Sequence, residues 1–170
     1  ILFEIAETPL FLIEQELSRT CPKLCIVPIV GDARNPERVN VIFDEQMPQV
    51  VFHAAAYKHV PLMERENAFQ AVDNNVRTTL VVARAAQAAG TSKFVLISTD
   101  KAVNPSSVMG ATKRVAELLV QAAARRSEWP YVAVRFGNVL GSRGSVVPLF
   151  KRQIARGGPL TVSDPSVTRY

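Results

Sequence analysis

Lys93-Phe-Val-Leu-Ile-Ser98 runs straight into Thr99-Asp-Lys-Ala-Val-Asn-Pro-Ser-Ser-Val-Met-Gly-Ala-Thr-Lys113, and this passage decides the fold. Its first six residues read as a strand. Pro105 and the serines around it break the run, and from Val108 to Arg126 apolar residues recur at helical spacing. A strand, a polar loop and a long helix are the repeating half of a parallel α/β sheet, which collects its ligands at loops leaving the carboxyl ends of strands. This loop sets a hydroxyl, a carboxylate and an ammonium side by side in Thr99, Asp100 and Lys101, directly after Ser98. Met109 and Lys113 lie four apart at the helix start and therefore share a face.

The same alternation extends in both directions. Upstream, a strand is expected over Ile1–Ile5, closing on Glu4, then a helix over Pro9–Arg19 with Thr8 as its cap. A second strand, Leu24–Val30, ends at Gly31-Asp32, and Asn35 caps a helix that opens with Pro36 and runs to about Asp44. Gln49–His53 is a third strand, followed by Ala54-Ala-Ala56 and a long helix over Ala68–Ala89 that Gly90 stops. Downstream, Tyr131–Phe136 is a strand leading into a Gly-rich loop, Gly137 to Gly144. A helix over Val146–Arg156 and a short last strand, Leu160–Val162, complete the reading. The pattern calls for an α/β fold, a doubly wound, mostly parallel, Rossmann-like sheet.

With 170 residues, 48% of them hydrophobic and 21% charged, the chain can bury one sizeable core, so one domain is expected. The absence of an initiator methionine and the abrupt close at Arg169-Tyr170 make both ends read as cuts through a larger protein. No apolar run approaches the roughly 18 residues of a membrane helix, and no signal peptide is visible. Cys21 and Cys25 are too few for a disulfide framework and lack the second pair of a zinc site, so they read as reduced, buried thiols, with no metal. The formal charge of +5 fits either solvated helix faces carrying Arg125, Arg126, Lys151, Arg152 and Arg156, or an electropositive cleft for a phosphate-bearing substrate. Nucleic acid fits less well, because the basic residues are dispersed and not interleaved with aromatics.

A dinucleotide-binding fold normally starts with a strand, a Gly-rich turn and a helix, with an acid for the ribose about 20 residues on. No such turn occurs here. Glu4 stands where that acid would be if the chain began one βα unit late, and an acid there favours NAD over NADP by repelling a 2′-phosphate. Asp32, followed by Ala33, could accept from an adenine amino group or simply be a turn residue. The small side chains of Ala54, Ala55 and Ala56 let a ligand approach the backbone. Lys58 and His59 come next, placed to meet a phosphate or a sugar hydroxyl, while His53 reads as a satisfied core histidine. Arg143-Gly144-Ser145, entering a helix start, suits a diphosphate, since backbone N–H groups and a guanidinium converge there.

Taken together, His53-Ala-Ala-Ala-Tyr-Lys-His-Val-Pro61, Asn74-Asn-Val76, Ser98-Thr-Asp-Lys-Ala-Val-Asn-Pro105, Met109-Gly-Ala-Thr-Lys113 and Arg135-Phe-Gly-Asn-Val-Leu-Gly-Ser-Arg-Gly-Ser-Val-Val-Pro-Leu-Phe150 resemble one family. It is the CapD-type polysaccharide-biosynthesis branch of the extended short-chain dehydrogenases, the nucleotide-sugar 4,6-dehydratases. Gly158-Pro-Leu-Thr-Val162 through Thr168-Arg-Tyr170 resembles it too. The resemblance implies a partial NAD(P)-binding catalytic domain over residues 1–170, with 137–170 beginning the substrate-binding part. It implies a UDP-linked N-acetylhexosamine as substrate and NAD as cofactor, with NADP as the alternative. Hydride leaves sugar C4, water is eliminated across C5 and C6, and hydride returns to C6. Asn75 and Ser98 would line the cofactor, Lys113 would orient the nicotinamide ribose, and Asn138 would contact substrate.

One position departs from the usual pattern. Where most short-chain dehydrogenases carry Tyr-x-x-x-Lys, the tyrosine is Met109, and a thioether transfers no proton. The weight then falls on Thr99 as a relay at the C4 oxygen, Asp100 as the acid at the C6 hydroxyl, and Lys101 as the base at C5, a role that needs a fraction of neutral amine. The bland alternative for Asp100 and Lys101 is a solvated loop ion pair. Two other readings stand beside this one: a nucleotide-sugar 4-epimerase, and a dinucleotide binder without turnover. A homo-oligomer is expected. So is cytoplasmic placement without membrane contact by this segment, the full-length protein being anchored at the cytoplasmic face if apolar spans precede it.

Overall fold

A computed structural model describes residues 1–139, 146–162 and 164 of the chain. Its strands are β1 (Leu2–Glu4), β2 (Pro28–Val30), β3 (Val50–His53), β4 (Lys93–Ile97) and β5 (Tyr131–Val134). The helices are α1 (Glu7–Thr20), α2 (Pro36–Gln46), α3 (Ala68–Val72), α4 (Thr78–Ala88), α5 (Val108–Ala124) and α6 (Val146–Ala155). Every strand pair is parallel: β1 with β2, and β3 with β4 with β5. The fold is the Rossmann-like α/β class expected from the alternation.

The strands form two ladders, β1-β2 and β3-β4-β5, because β1 and β3 do not pair with each other. The two ladders correspond to the 3-2 and 4-5-6 parts of the doubly wound order 3-2-1-4-5-6. One core nevertheless joins them. Phe94 and Leu96 of β4 are fully buried against Val39 and Phe43 of α2, Val82 and Ala86 of α4, and Ala116 and Val120 of α5, and Phe3 of β1 packs against the same cluster. Alanines at the contacts let α4 and α5 approach the sheet closely. On the other face of the three-stranded ladder, Phe52, Val132 and Val134 are exposed. The unbroken apolar runs of these strands are the signature of strands covered on both faces.

Asn35 caps α2 as expected, its Oδ1 accepting from the Arg38 backbone N–H at 3.0 Å, with Pro36 at the first helical position. Asn35→Ala should cost about 1 kcal/mol of stability, measurable by denaturant unfolding. Other local expectations shift. α1 starts at Glu7, with Ala6 as its cap, so Thr8 and Pro9 lie inside the first turn, where a missing proline N–H costs nothing. Glu4 anchors that start, its Oε1 accepting from Ala6 N–H at 3.0 Å. β2 pairs only over its last three residues.

The long helix is interrupted by a π turn over Asp73–Arg77, between α3 and α4, and Gly90 ends it at a φ of 68°. Leu160–Val162 is not a strand; Gln153 of α6 takes up Thr161 instead, accepting from its N–H and donating to its Oγ1. Cys21 and Cys25 are exposed rather than buried, since they sit in the turn beyond α1. The chain divides into two compact units, Ile1–Arg135 and Phe136–Tyr170. No helix among the described residues is long and apolar enough to cross a membrane.

Candidate active site

The carboxyl end of β4 is where reactive groups gather. Thr99 caps a 3₁₀ turn over Asp100–Ala102. Its hydroxyl donates to Asp100 Oδ1 at 2.8 Å, and Lys101 Nζ donates to the same oxygen at 3.0 Å. The ion pair predicted as the bland alternative therefore exists. The Lys101 and Thr99 hydrogen bonds hold the Asp100 carboxyl below the usual carboxylate range, so it is an anion at rest and must be loaded with a proton before it can act as an acid. The pair is only partly shielded, with Asp100 about half exposed.

Beneath this loop runs the first part of α5. Ser107 Oγ accepts from Gly110 N–H, and Glu64 Oε1 reaches across to accept from Val108 N–H at 2.9 Å. A protein carboxylate thus already satisfies the helix start. Lys113 is 5% exposed and donates to the Ile97 carbonyl at 2.6 Å. Burial pushes its ammonium down to about 8, against the opposing pull of Glu117. Met109, on the same face, is buried with Met63 and Ala71, packed by Val60 and Val108. It is an apolar filler holding the Val60–Met63 segment against α5, in keeping with a thioether that transfers no proton.

Ser98 is buried and its hydroxyl is engaged within the protein. Its hydroxyl donates at 2.6 Å to Glu117, a carboxylate 1% exposed that also accepts from Arg135 and Arg114. Asn75, in the π turn, is equally buried and fully engaged. Its Oδ1 accepts from Tyr57 N–H, and its Nδ2 donates to the Tyr57 carbonyl and to Thr112 Oγ1. It can act on a ligand only through the β3 loop and α5, which it ties together. His53 is the core histidine expected. Burial, then Lys113, pushes it down to about 4, and its Nε2 bonds Thr79 Oγ1, which itself donates to the Asn75 carbonyl.

At the ends of the other strands the groups are separate. Asp32 is gripped by Arg34 through its Nε and Nη2, and the same guanidinium reaches Asp73 in the π turn at 3.0 Å. That grip holds the Asp32 carboxyl below its ordinary range. Ala33 is partly buried and packs against the core. Ala54 and Ala55 are exposed and Ala56 is half-buried, with Lys58 and His59 exposed beyond them. Asn138 is exposed in the second unit, while Arg143, Gly144 and Ser145 lie outside the described residues.

Sequence reasoning missed Glu117, Arg34, Glu64 and Thr112. Only Glu117 left a usable signal: it lies one turn beyond Lys113 on the face that Met109 begins. The described residues suit a nicotinamide dinucleotide at the carboxyl ends of the strands: small Ala54 and Ala55 expose backbone after β3, and buried Lys113 supplies a cation after β4.

The whole chain, residues 1–170, matches the family model described as polysaccharide biosynthesis protein. It is 53% identical, over its full length, to the capsular polysaccharide biosynthesis protein CapD of Staphylococcus aureus, of which it covers 28%. It is 38% identical over 91% of its length to a UDP-N-acetylglucosamine 4,6-dehydratase (inverting) of Campylobacter jejuni, covering 47% of that protein. UDP-glucose 4-epimerases of Rickettsia species stand nearby, the one from Rickettsia canadensis at 44% over 83% of the chain and 41% of the epimerase. Among solved structures, Pen from Bacillus thuringiensis superposes with a TM-score of 0.84 at 40% identity, over 95% of this chain and 51% of that one. The chain spans between about a quarter and a half of the length of these relatives. Its match from first residue to last, on a parallel sheet with this loop at its carboxyl edge, shows that the chain belongs to the polysaccharide biosynthesis protein family.

Proposed function

We propose that this chain forms the chemical centre of an NAD-dependent nucleotide-sugar 4,6-dehydratase acting on a UDP-N-acetylhexosamine such as UDP-N-acetylglucosamine. The observation that carries the reading is the contact series Thr99 Oγ1, Asp100 Oδ1 and Lys101 Nζ at the end of β4. The bound nicotinamide would take hydride from sugar C4 and give it back at C6. Thr99, hydrogen-bonded to the C4 hydroxyl, passes that proton to Asp100, which supplies the acid its resting environment denies it. Asp100 then protonates the leaving C6 hydroxyl, and water departs. Lys101, as the neutral amine, takes the C5 proton and returns it to C5 once hydride reaches C6. Both residues end as they began. Lys113 holds the nicotinamide ribose.

The competing reading is a 4-epimerase, favoured by the Rickettsia relatives. Only elimination requires a base at C5 and an acid at C6, and that favours dehydration for a loop with this pair. The test is mass spectrometry of the full-length polypeptide incubated with NAD and UDP-N-acetylglucosamine. A product lighter by one water and reactive as a ketone is expected; a product of unchanged mass would make the protein an epimerase. Lys101→Met should lower formation of that ketone by about 10²-fold or more without releasing NAD. Undiminished formation would remove Lys101 from the mechanism.

A further inference from the structure

We propose that Glu117 is a positioning residue: its buried carboxylate, by gripping Ser98 and Arg135 at once, sets the place of the Thr99–Lys101 loop. Two oxygens receive four donors. Oε1 accepts from Ser98 Oγ at 2.6 Å and Arg135 Nε at 2.7 Å; Oε2 accepts from Arg135 Nη2 at 2.6 Å and Arg114 Nη1 at 3.0 Å. Ser98 is the first residue beyond β4 and Arg135 the first beyond β5. Their strand ends are already joined by the Ser98 N–H donating to the Val134 carbonyl at 2.8 Å. One turn earlier on α5, Lys113 holds Ile97. The helix therefore clamps two consecutive residues, the last of β4 and the first beyond it, at the point where the reactive loop departs, and the next residue, Thr99, begins the chemistry.

Fold stability alone does not account for this cluster. A buried ion pair can often be replaced by apolar side chains at no loss of stability, and the core beside it is apolar already. What an apolar replacement could not supply is a directed bond to Ser98. The serine hydroxyl is also the only side-chain link between Glu117 and the loop, so its removal tests the clamp without unpairing the two guanidiniums. The assignment rests on the reading of this loop as the reactive one, but its first test does not.

That test is amide hydrogen exchange in the full-length polypeptide, comparing the wild type with Ser98→Ala and Ser98→Thr. The reporting amides are Ala102, bonded to the Thr99 carbonyl, and Val103, bonded to the Asp100 carbonyl. Both should exchange about tenfold or more faster in Ser98→Ala, with β4 amides unchanged, and Ser98→Thr should restore protection. Unchanged loop exchange in Ser98→Ala would overturn the assignment. With a turned-over sugar nucleotide, kcat should fall about tenfold or more in Ser98→Ala while KM moves less, and Glu117→Gln combined with it should be no worse than Glu117→Gln alone. Additive losses would also overturn it. If loop exchange responds as expected but the wild type converts no sugar nucleotide, the clamp stands and the substrate reading falls.

Discussion

Replacing Lys113 with methionine is expected to reduce turnover by about 10²- to 10⁴-fold while leaving the protein folded. The two effects separate because the fold tolerates this ammonium rather than depending on it. Burial disfavours its charged form and brings it to about 8, so at neutral pH the folded state carries a buried charge with one short bond, to Ile97. Methionine leaves that carbonyl without its donor, a loss of about 1–3 kcal/mol, but also removes a buried charge that costs a similar amount. Thermal unfolding should therefore move by only a few degrees. A comparable loss of turnover and of melting temperature would mean that Lys113 is a structural residue.

The same residue gives a pH dependence of definite sign. In the unfolded chain a lysine keeps its proton to about 10.4, whereas the folded Lys113 gives it up near 8. Between those values the unfolded state binds more protons, so this group's contribution makes the protein more stable as pH rises. Activity that needs the ammonium moves the opposite way and falls above about pH 8. Urea unfolding and turnover measured from pH 7 to 9.5 should thus diverge in the wild type, relative to Lys113→Met. Parallel trends would count against an ammonium role for Lys113.

Sequence informs only as far as its signals are local. The alternation of short apolar runs with helical spacing was enough to place the strands and the helix after β4, because each signal is local. Asn35-Pro36 was legible for the same reason: a cap and its helix are neighbours in the chain. Glu117 was legible only by its place one turn beyond Lys113; its grip was not, since a glutamate near an arginine on a helix reads as a solvated face until β5 brings Arg135, 18 residues away, onto it. Asn75 was expected to line a cofactor but not to act as a clamp, because its partners, Tyr57 and Thr112, come from segments that meet only in the folded chain. Arg34 likewise pairs with Asp32 through a local turn whose partner in the π turn no pattern announces. The polar make-up of the Thr99–Lys101 loop was legible by composition; what holds the loop was not.

Gly110 joins both kinds of evidence, and Gly110→Ala should destabilise the protein by about 2–3 kcal/mol with a larger loss of activity than of stability. Helix propensity alone predicts the reverse, a gain of about 1 kcal/mol for alanine within a helix. The fold overrules propensity here because a Cβ at this position would run into the backbone carbonyl of Lys101, and would sit 3.1 Å from Ser107 Oγ and 3.2 Å from Pro105 Cβ. None of these is a flexible side-chain tip. Ser107 is the helix cap, receiving Gly110 N–H itself, so moving it gives up about 1 kcal/mol of capping. Moving Lys101 instead shifts the 3₁₀ turn that holds its ammonium on Asp100. Displacement of a reacting group by about 1 Å can cost 10²-fold, which is why kcat is the more sensitive readout. Denaturant unfolding and sugar-nucleotide turnover on the same preparation decide it. A variant that is more stable and fully active would mean that the loop does not rest on α5, and the placement of Lys101 against the sugar would have to be drawn again.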